Sequence, residues 1–147
     1  MRGSPWVTGR RVVWSLVACI LLTALPKARP AEAAHAVDHR YVVLGYVRDR
    51  EGRPVPRTPV LLVREKTGLP YHVETDARGF FVLIVHLHDE DLRDALHIVT
   101  EWAGAHIEAR FNPLNPERPR GTRVDFAGAQ VRERQEMFEE TLREYLR

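Results

Sequence analysis

Apolar and polar positions alternate with a period of two along most of the chain beyond residue 40. YVVLGYV (41–47) and TPVLLVRE (58–65) flank DREGRPVPR, whose Asp, Gly and Pro are turn formers. YHVET (71–75) and FFVLIVHL (80–87) enclose the turn DARG. HIVTEWA (97–103) and AHIEARF (105–111) meet at Ala103-Gly104, which predicts a hairpin turn. In the second arm Ala105, Ile107, Ala109 and Phe111 alternate with His106, Glu108 and Arg110, an inside/outside pattern. TRVDFAG (122–128) follows the loop NPLNPERPRG. Seven short strands with no helix between most of them predict an all-β, seven-stranded antiparallel Greek-key sandwich over residues 37–128.

The period changes at the C-terminus. In VRERQEMFEETLREYLR, Val131, Gln135, Phe138, Leu142 and Tyr145 recur at helical spacing, predicting an amphipathic helix within residues 129–147. Arg132–Glu136 and Glu139–Arg143 stand four apart and add modest support. If Phe81 points inward, so do Leu83, Val85 and Leu87, while Phe80, Val82, Ile84, His86 and His88 share the opposite face. That second face is apolar too and needs a cover. The helix predicts one, with Phe138, Leu142 and Tyr145 docked on Phe80, Val82 and Ile84. The competing expectation is a detachable helix that binds a partner protein; many Glu and few Lys disfavour a membrane surface.

The first 36 residues follow a different plan. MRGSPWVTGRR carries Arg2, Arg10 and Arg11, the apolar run Val12 to Leu25 follows, and Pro26 and AEAAHA come next. Charged, apolar and small-residue segments in that order predict a secretory signal peptide over 1–36, cleaved after Ala33 or Ala36. The run of 14 residues falls short of the roughly 20 that span a bilayer. Retention as a membrane anchor through residues 12–25, or lipidation at Cys19 within LVAC, are the alternatives. Arg10-Arg11 also resembles a twin-arginine signal, without its usual Ser or Thr and Lys. An exported location, periplasmic or secreted, is expected, with membrane contact only through an uncleaved leader.

Charge looks different once the leader is set aside. The whole chain has 22 basic and 20 acidic residues, but five basic and one acidic lie in residues 1–36, so the remainder carries a net charge of −2. The electrostatic footprint of a nucleic-acid binder is therefore missing. Ser4, Ser15 and Cys19 all fall in the leader, so the remaining chain has no Ser or Cys nucleophile and no disulfide. Its only lysine is Lys66.

A resemblance can be named on these residues. Gly45-x-Val47-x-Asp49-x-x-Gly52-x-Pro54-Val55, then Val60-x-Leu62, then Thr75-Asp76-x-x-Gly79-x-Phe81 resembles the carboxypeptidase regulatory-like domain, of the transthyretin-like (prealbumin-like) group of sandwiches, with an immunoglobulin-like build. The match covers residues 41–111 and implies a module that folds, binds or spaces, usually without catalysis. Physically, Gly52 and Gly79 suit turns with positive φ, Asp49 and Asp76 cap turns, and Phe81 fills the core. Three enzyme-bearing or reactive relatives share the fold. Intradiol ring-cleavage dioxygenases bind iron through two Tyr and a His-x-His, but here His86-Leu87-His88 stands about one strand too early and the later position reads His97-Ile98-Val99. Hydroxyisourate hydrolases end in Tyr-Arg-Gly-Ser, where this chain ends REYLR. Isopeptide-forming collagen-binding domains need an early-strand Lys, which residues 41–47 lack.

The remaining chemistry is a weak metal candidate. His86 and His88 share one strand face beside Asp89, Glu90 and Asp91, the spacing of a two-ligand chelate without a defined third ligand. The competing expectation is a strand end with solvated imidazoles, followed by the acidic start of a helical turn, DEDLRDAL. The acidic run lacks the Asp/Asn-Gly loop of calcium cages. The expectation is a non-catalytic binding or structural module of the cell envelope, with no cofactor and with a protein partner. The alternative is a small metal-dependent enzyme using His86, His88 and His97 or His106.

Overall fold

The computed structural model describes residues 39–147. The leader, its cleavage positions and Cys19 lie outside the described residues. Strands β1 (Arg40–Arg48), β2 (Pro59–Arg64), β3 (Leu69–Glu74), β4 (Phe80–His86), β5 (Ala95–Val99), β6 (Gly104–Glu108), β7 (Gly121–Ala127) and β8 (Gln130–Glu133) precede one helix, α1 (Phe138–Tyr145). They form two four-stranded sheets, ordered β4-β1-β7-β8 and β3-β2-β5-β6. No helix among the described residues is long and apolar enough to cross a membrane.

Period-two alternation turns one face of each sheet inward. Tyr41, Val43 and Val47 of β1, Phe81, Leu83 and Val85 of β4, and Val124 and Phe126 of β7 meet Val60, Leu62, Leu96, Ile98 and Ile107 of the other sheet. Each fully buried Phe or Leu contributes about 1.5–3 kcal/mol, so this layer dominates the stability of the fold. Leu87 and Ala109, just past their strands, close its end.

Four details depart from the sequence expectation. The strands number eight rather than seven, because residues 130–133 pair with β7 through Ala127↔Gln130 and Phe126↔Val131. Val131 therefore belongs to a strand and packs on the inter-sheet core instead of starting a helical stripe. A single apolar residue, Val131, among polar neighbours fits a strand as well as a helix. Gly128, at φ +56, supplies the tight turn that returns the chain to the open side of β7, so sheet pairing wins over local helix propensity. The helix is correspondingly short, preceded by a 3-10 turn over Gln135–Met137, and Arg132 and Glu136 no longer share a helix face. The sandwich is not wholly antiparallel either, since β1 and β7 run parallel. Finally, the β5–β6 turn occupies residues 100–103, and Gly104 pairs with Val99 inside the ladder. Thr100 sets that turn by accepting the N–H groups of Trp102 and Ala103 on its hydroxyl.

The parallel pair explains Gly45. A Cβ there would lie 1.8 Å from the Val124 carbonyl oxygen, so only glycine permits β1 to approach β7 this closely. The backbone ladder lapses beside it, and the Tyr46 N–H donates to the Asp125 side chain at 3.2 Å.

Candidate functional site

The resemblance residues build turns. The Asp49 carboxylate accepts the N–H groups of Glu51 and Arg53, and Asp76 accepts those of Arg78 and Phe80, both at 2.8 Å. Burial acts to raise the pKa of each carboxyl, but the N–H donors and the guanidinium of Arg53 or Arg78 outweigh it and hold both below the usual carboxylate range. Gly79 sits at φ +72 against the Val47 carbonyl, 2.4 Å from where a Cβ would stand, and Gly52 has φ +83. Thr75 is buried, donates its hydroxyl to the Val55 carbonyl at 2.7 Å and accepts the Thr58 N–H at 2.9 Å. Pro54 bridges to Arg48. These groups spend their polar capacity on backbone within the two turns and the latch between them.

Five of the six histidines among the described residues form two sets, while His72 stands on β3 opposite Leu61. His86 ends β4 on the outer face, and His88 follows the buried Leu87; both are exposed. His39 joins them from the start of β1, with ring centroids 4.5 Å from His88 and 5.7 Å from His86, while His86 and His88 are 4.9 Å apart. The His86 ring stands edge-on to His39 and His88, whose own rings are tilted, and no three His, Cys, Asp or Glu side chains among the described residues are grouped to hold a metal ion. His39 was not legible as a member, because only the β1–β4 pairing brings it there, with its carbonyl accepting the Leu87 N–H. His97 and His106 lie on the other sheet as cross-strand partners, stacked 4.3 Å apart and 4° from parallel, with His106 paired to Glu65. The four histidines of the enzyme alternative are therefore not one constellation.

The acidic run takes another role. Asp89–Asp91 forms one 3-10 turn, and Asp91 folds inward to 2% exposure. Arg64 reaches Asp91 at 2.5 Å and Asp94 at 2.6 Å, Lys66 reaches Asp91 at 2.8 Å, and the His88 N–H donates to Asp91 at 2.9 Å. Burial acts to raise the Asp91 pKa, but Lys66, the His88 N–H and Arg64 together pull it down to about 2. This network ties the end of β2 to the loop between β4 and β5. Sequence reading missed it because Arg64 and Asp91 meet only when β2 pairs with β5, Arg64 opposite Leu96.

Under α1 part of the second face of the first sheet is closed. Phe138, Leu44 and Phe80 are buried together, with Val42, Tyr46, Val82 and Leu142 packed around them. Tyr145 stays half exposed, its ring 5.5 Å from Phe80, and Ile84 is exposed. The Thr141 hydroxyl receives Arg123 at 3.1 Å, joining α1 to β7. Beside the helix opens a cleft of about 660 Å³ lined by Arg110, Phe111, Asn115, Arg118 and Glu139. On its border Arg120 is buried, lies over Phe111 at 4.6 Å and contacts Asp89 at 2.8 Å without a hydrogen-bonding approach. Tyr41, whose hydroxyl accepts the Arg110 N–H, has its phenol pushed up to about 12 by burial.

No family model matches the chain, and no curated protein matches it. Solved structures of related shape include 5-hydroxyisourate hydrolase from Klebsiella pneumoniae, 15% identical over 65% of this chain and 97% of that one, with a TM-score of 0.44. The dioxygenase domain of a dioxygenase–carbohydrate-binding protein fusion from Streptomyces sp. SirexAA-E is 16% identical over 61% of this chain and 79% of that one, at TM-score 0.42. Catechol 1,2-dioxygenase from Acinetobacter sp. ADP1 is 10% identical over 58% and 43%, at TM-score 0.39.

Proposed function

We propose that the chain is an exported, non-catalytic β-sandwich of the carboxypeptidase regulatory-like, transthyretin-like kind, working as a binding or structural module in the cell envelope. The observation that carries this reading is the division of its histidines between two sheets. A hydrolytic or oxygenase site needs several ligands or a nucleophile converging on one reacting atom, and residues 37–147 hold no Ser or Cys to serve instead. The motif residues Asp49, Thr75 and Asp76 are engaged in turns, which suits a rigid scaffold that presents its faces and loops. Export rests on the order of segments in residues 1–36.

A second reading, a small metal-dependent enzyme, draws on the meeting of His39, His86 and His88. Elemental analysis of the purified protein separates the two. The binding-module reading expects far less than one equivalent of iron, zinc or copper; one equivalent, lost with His86→Ala and His88→Ala, favours the enzyme. Intact mass of the exported form tests the leader. A mature start between residues 34 and 37 is expected, and full-length protein held in the cytosol refutes export.

A further inference from the structure

α1 covers only part of the outer face of the first sheet, and the part it leaves toward β8 is cationic. Arg48 of β1, Arg123 of β7, Arg132 of β8 and Arg134 just beyond it line a cleft of about 330 Å³ in which Asp125 is the one carboxylate. Register explains the convergence. Arg48 pairs with Ala127, Ala127 with Gln130 and Asp125 with Arg132, so outward positions of three adjacent strands fall side by side. Asp125 is already engaged by Arg123, at 3.0 Å through two nitrogens, by Arg134 at 3.7 Å and by the Tyr46 N–H. Arg48 leans over the Tyr46 ring and donates to the Gly52 carbonyl. The lining of the cleft thus holds four guanidinium groups and one carboxylate, which Arg123 and Arg134 engage, in a chain whose residues 37–147 are acidic overall. The excess charge is local to this face.

Beside the cleft, β8 ends its sheet and has a strand on one side only. Gln130, Arg132 and Glu133 are exposed on it. An unpaired edge offers backbone N–H and C=O groups to another extended chain. A strand added there would carry alternate side chains on the outer face, about 5 Å across from Arg132 and repeating about every 7 Å along its length. Carboxylates at that repeat suit the forked donors of arginine.

We propose that β8 and this cleft receive an extended acidic segment of a partner protein, added as a fifth strand with alternate Asp or Glu side chains against Arg132 and its neighbours. The inference rests on the binding-module reading and names the chemistry of the partner. A peptide is favoured over another polyanion because the edge supplies main-chain pairing as well as charge. A sulfated or phosphorylated polymer uses the charge alone.

The test is fluorescence anisotropy of the full chain with a labelled peptide of alternating Glu and Thr. Binding is expected, with none for the matching Lys-Thr peptide. Arg132→Glu should weaken it about tenfold, and N-methylation of alternate peptide amides should weaken it further by removing the edge hydrogen bonds. If Arg132→Glu fails to fold, Arg132→Gln carries the test, with about a threefold loss expected. The inference is overturned if the Glu-Thr peptide does not bind, if N-methylation or the Arg132 substitution leaves binding unchanged, or if a sulfated oligosaccharide binds while the peptide does not. Metal content measured on the same sample keeps the two questions apart. Metal-free protein without peptide binding removes this inference alone, whereas one equivalent of histidine-bound metal removes the binding-module reading itself.

Discussion

The core between the sheets and the small core under α1 share strands β1 and β4 but are built in different ways. In the first, Phe81 and its inward neighbours meet residues of the opposite sheet, so burial follows from alternation repeated on every strand. In the second, Phe80 and Leu44 are covered by Phe138 and Leu142, which arrive from one short helix at the end of the chain. The first core draws its side chains from strands of both sheets. The second depends on a single element whose eight residues are too few to form a stable helix alone. A face that is apolar on both sides thus needs a long-range partner, and that partner is folded only by docking.

Substitutions in the two cores give the sharpest contrast. Phe81→Ala should cost about 3–5 kcal/mol in urea unfolding, through lost transfer energy and a cavity that the packed sheets cannot close. Phe138→Ala should cost less, about 2–4 kcal/mol, because a short helix can settle toward the strands. It should also raise binding of a hydrophobic dye while the far-ultraviolet signal of the strands persists. Equal costs, or loss of the whole sandwich with Phe138→Ala, would mean that the two cores are one cooperative layer.

Acid probes a third kind of cohesion at the end of the sandwich. Asp91 has a folded pKa of about 2 against an ordinary 3.8, so its contribution is present above 3.8 and lost as pH falls toward 2. Asp91→Asn should cost about 1.5–3 kcal/mol at neutral pH by leaving Arg64 without one of its partners. It should also flatten the fall in melting temperature between about pH 4 and pH 2. An unchanged acid profile in the variant would assign the acid sensitivity to other carboxylates.

The smallest effect is expected where neither core is touched. His86→Ala with His88→Ala removes two exposed imidazoles and should change stability by no more than about 0.5 kcal/mol. A larger loss would mean that the ring cluster with His39 helps to hold the end of β1 against β4.

Alternation along the strands was enough, read alone, to define the inward set Phe81, Leu83, Val85 and Leu87, because a strand has only two faces and one must be buried. The turn chemistry of Asp49, Gly52, Asp76 and Gly79 was legible for the same reason, since a side-chain cap and a positive φ act within four residues. Other features depended on which strands become neighbours. VRERQ fits a strand and a helix equally by pattern, and the open side of β7 decided for β8. The parallel β1–β7 pair, the junction of Arg64 with Asp91, the meeting of His39 with His86 and His88, and the row of arginines from Arg48 to Arg134 all join residues far apart in the chain. Local pattern sets which way a side chain points. Only the packing of whole strands sets what it meets, because a contact between distant segments forms when their shared burial outweighs the entropy of closing the chain between them.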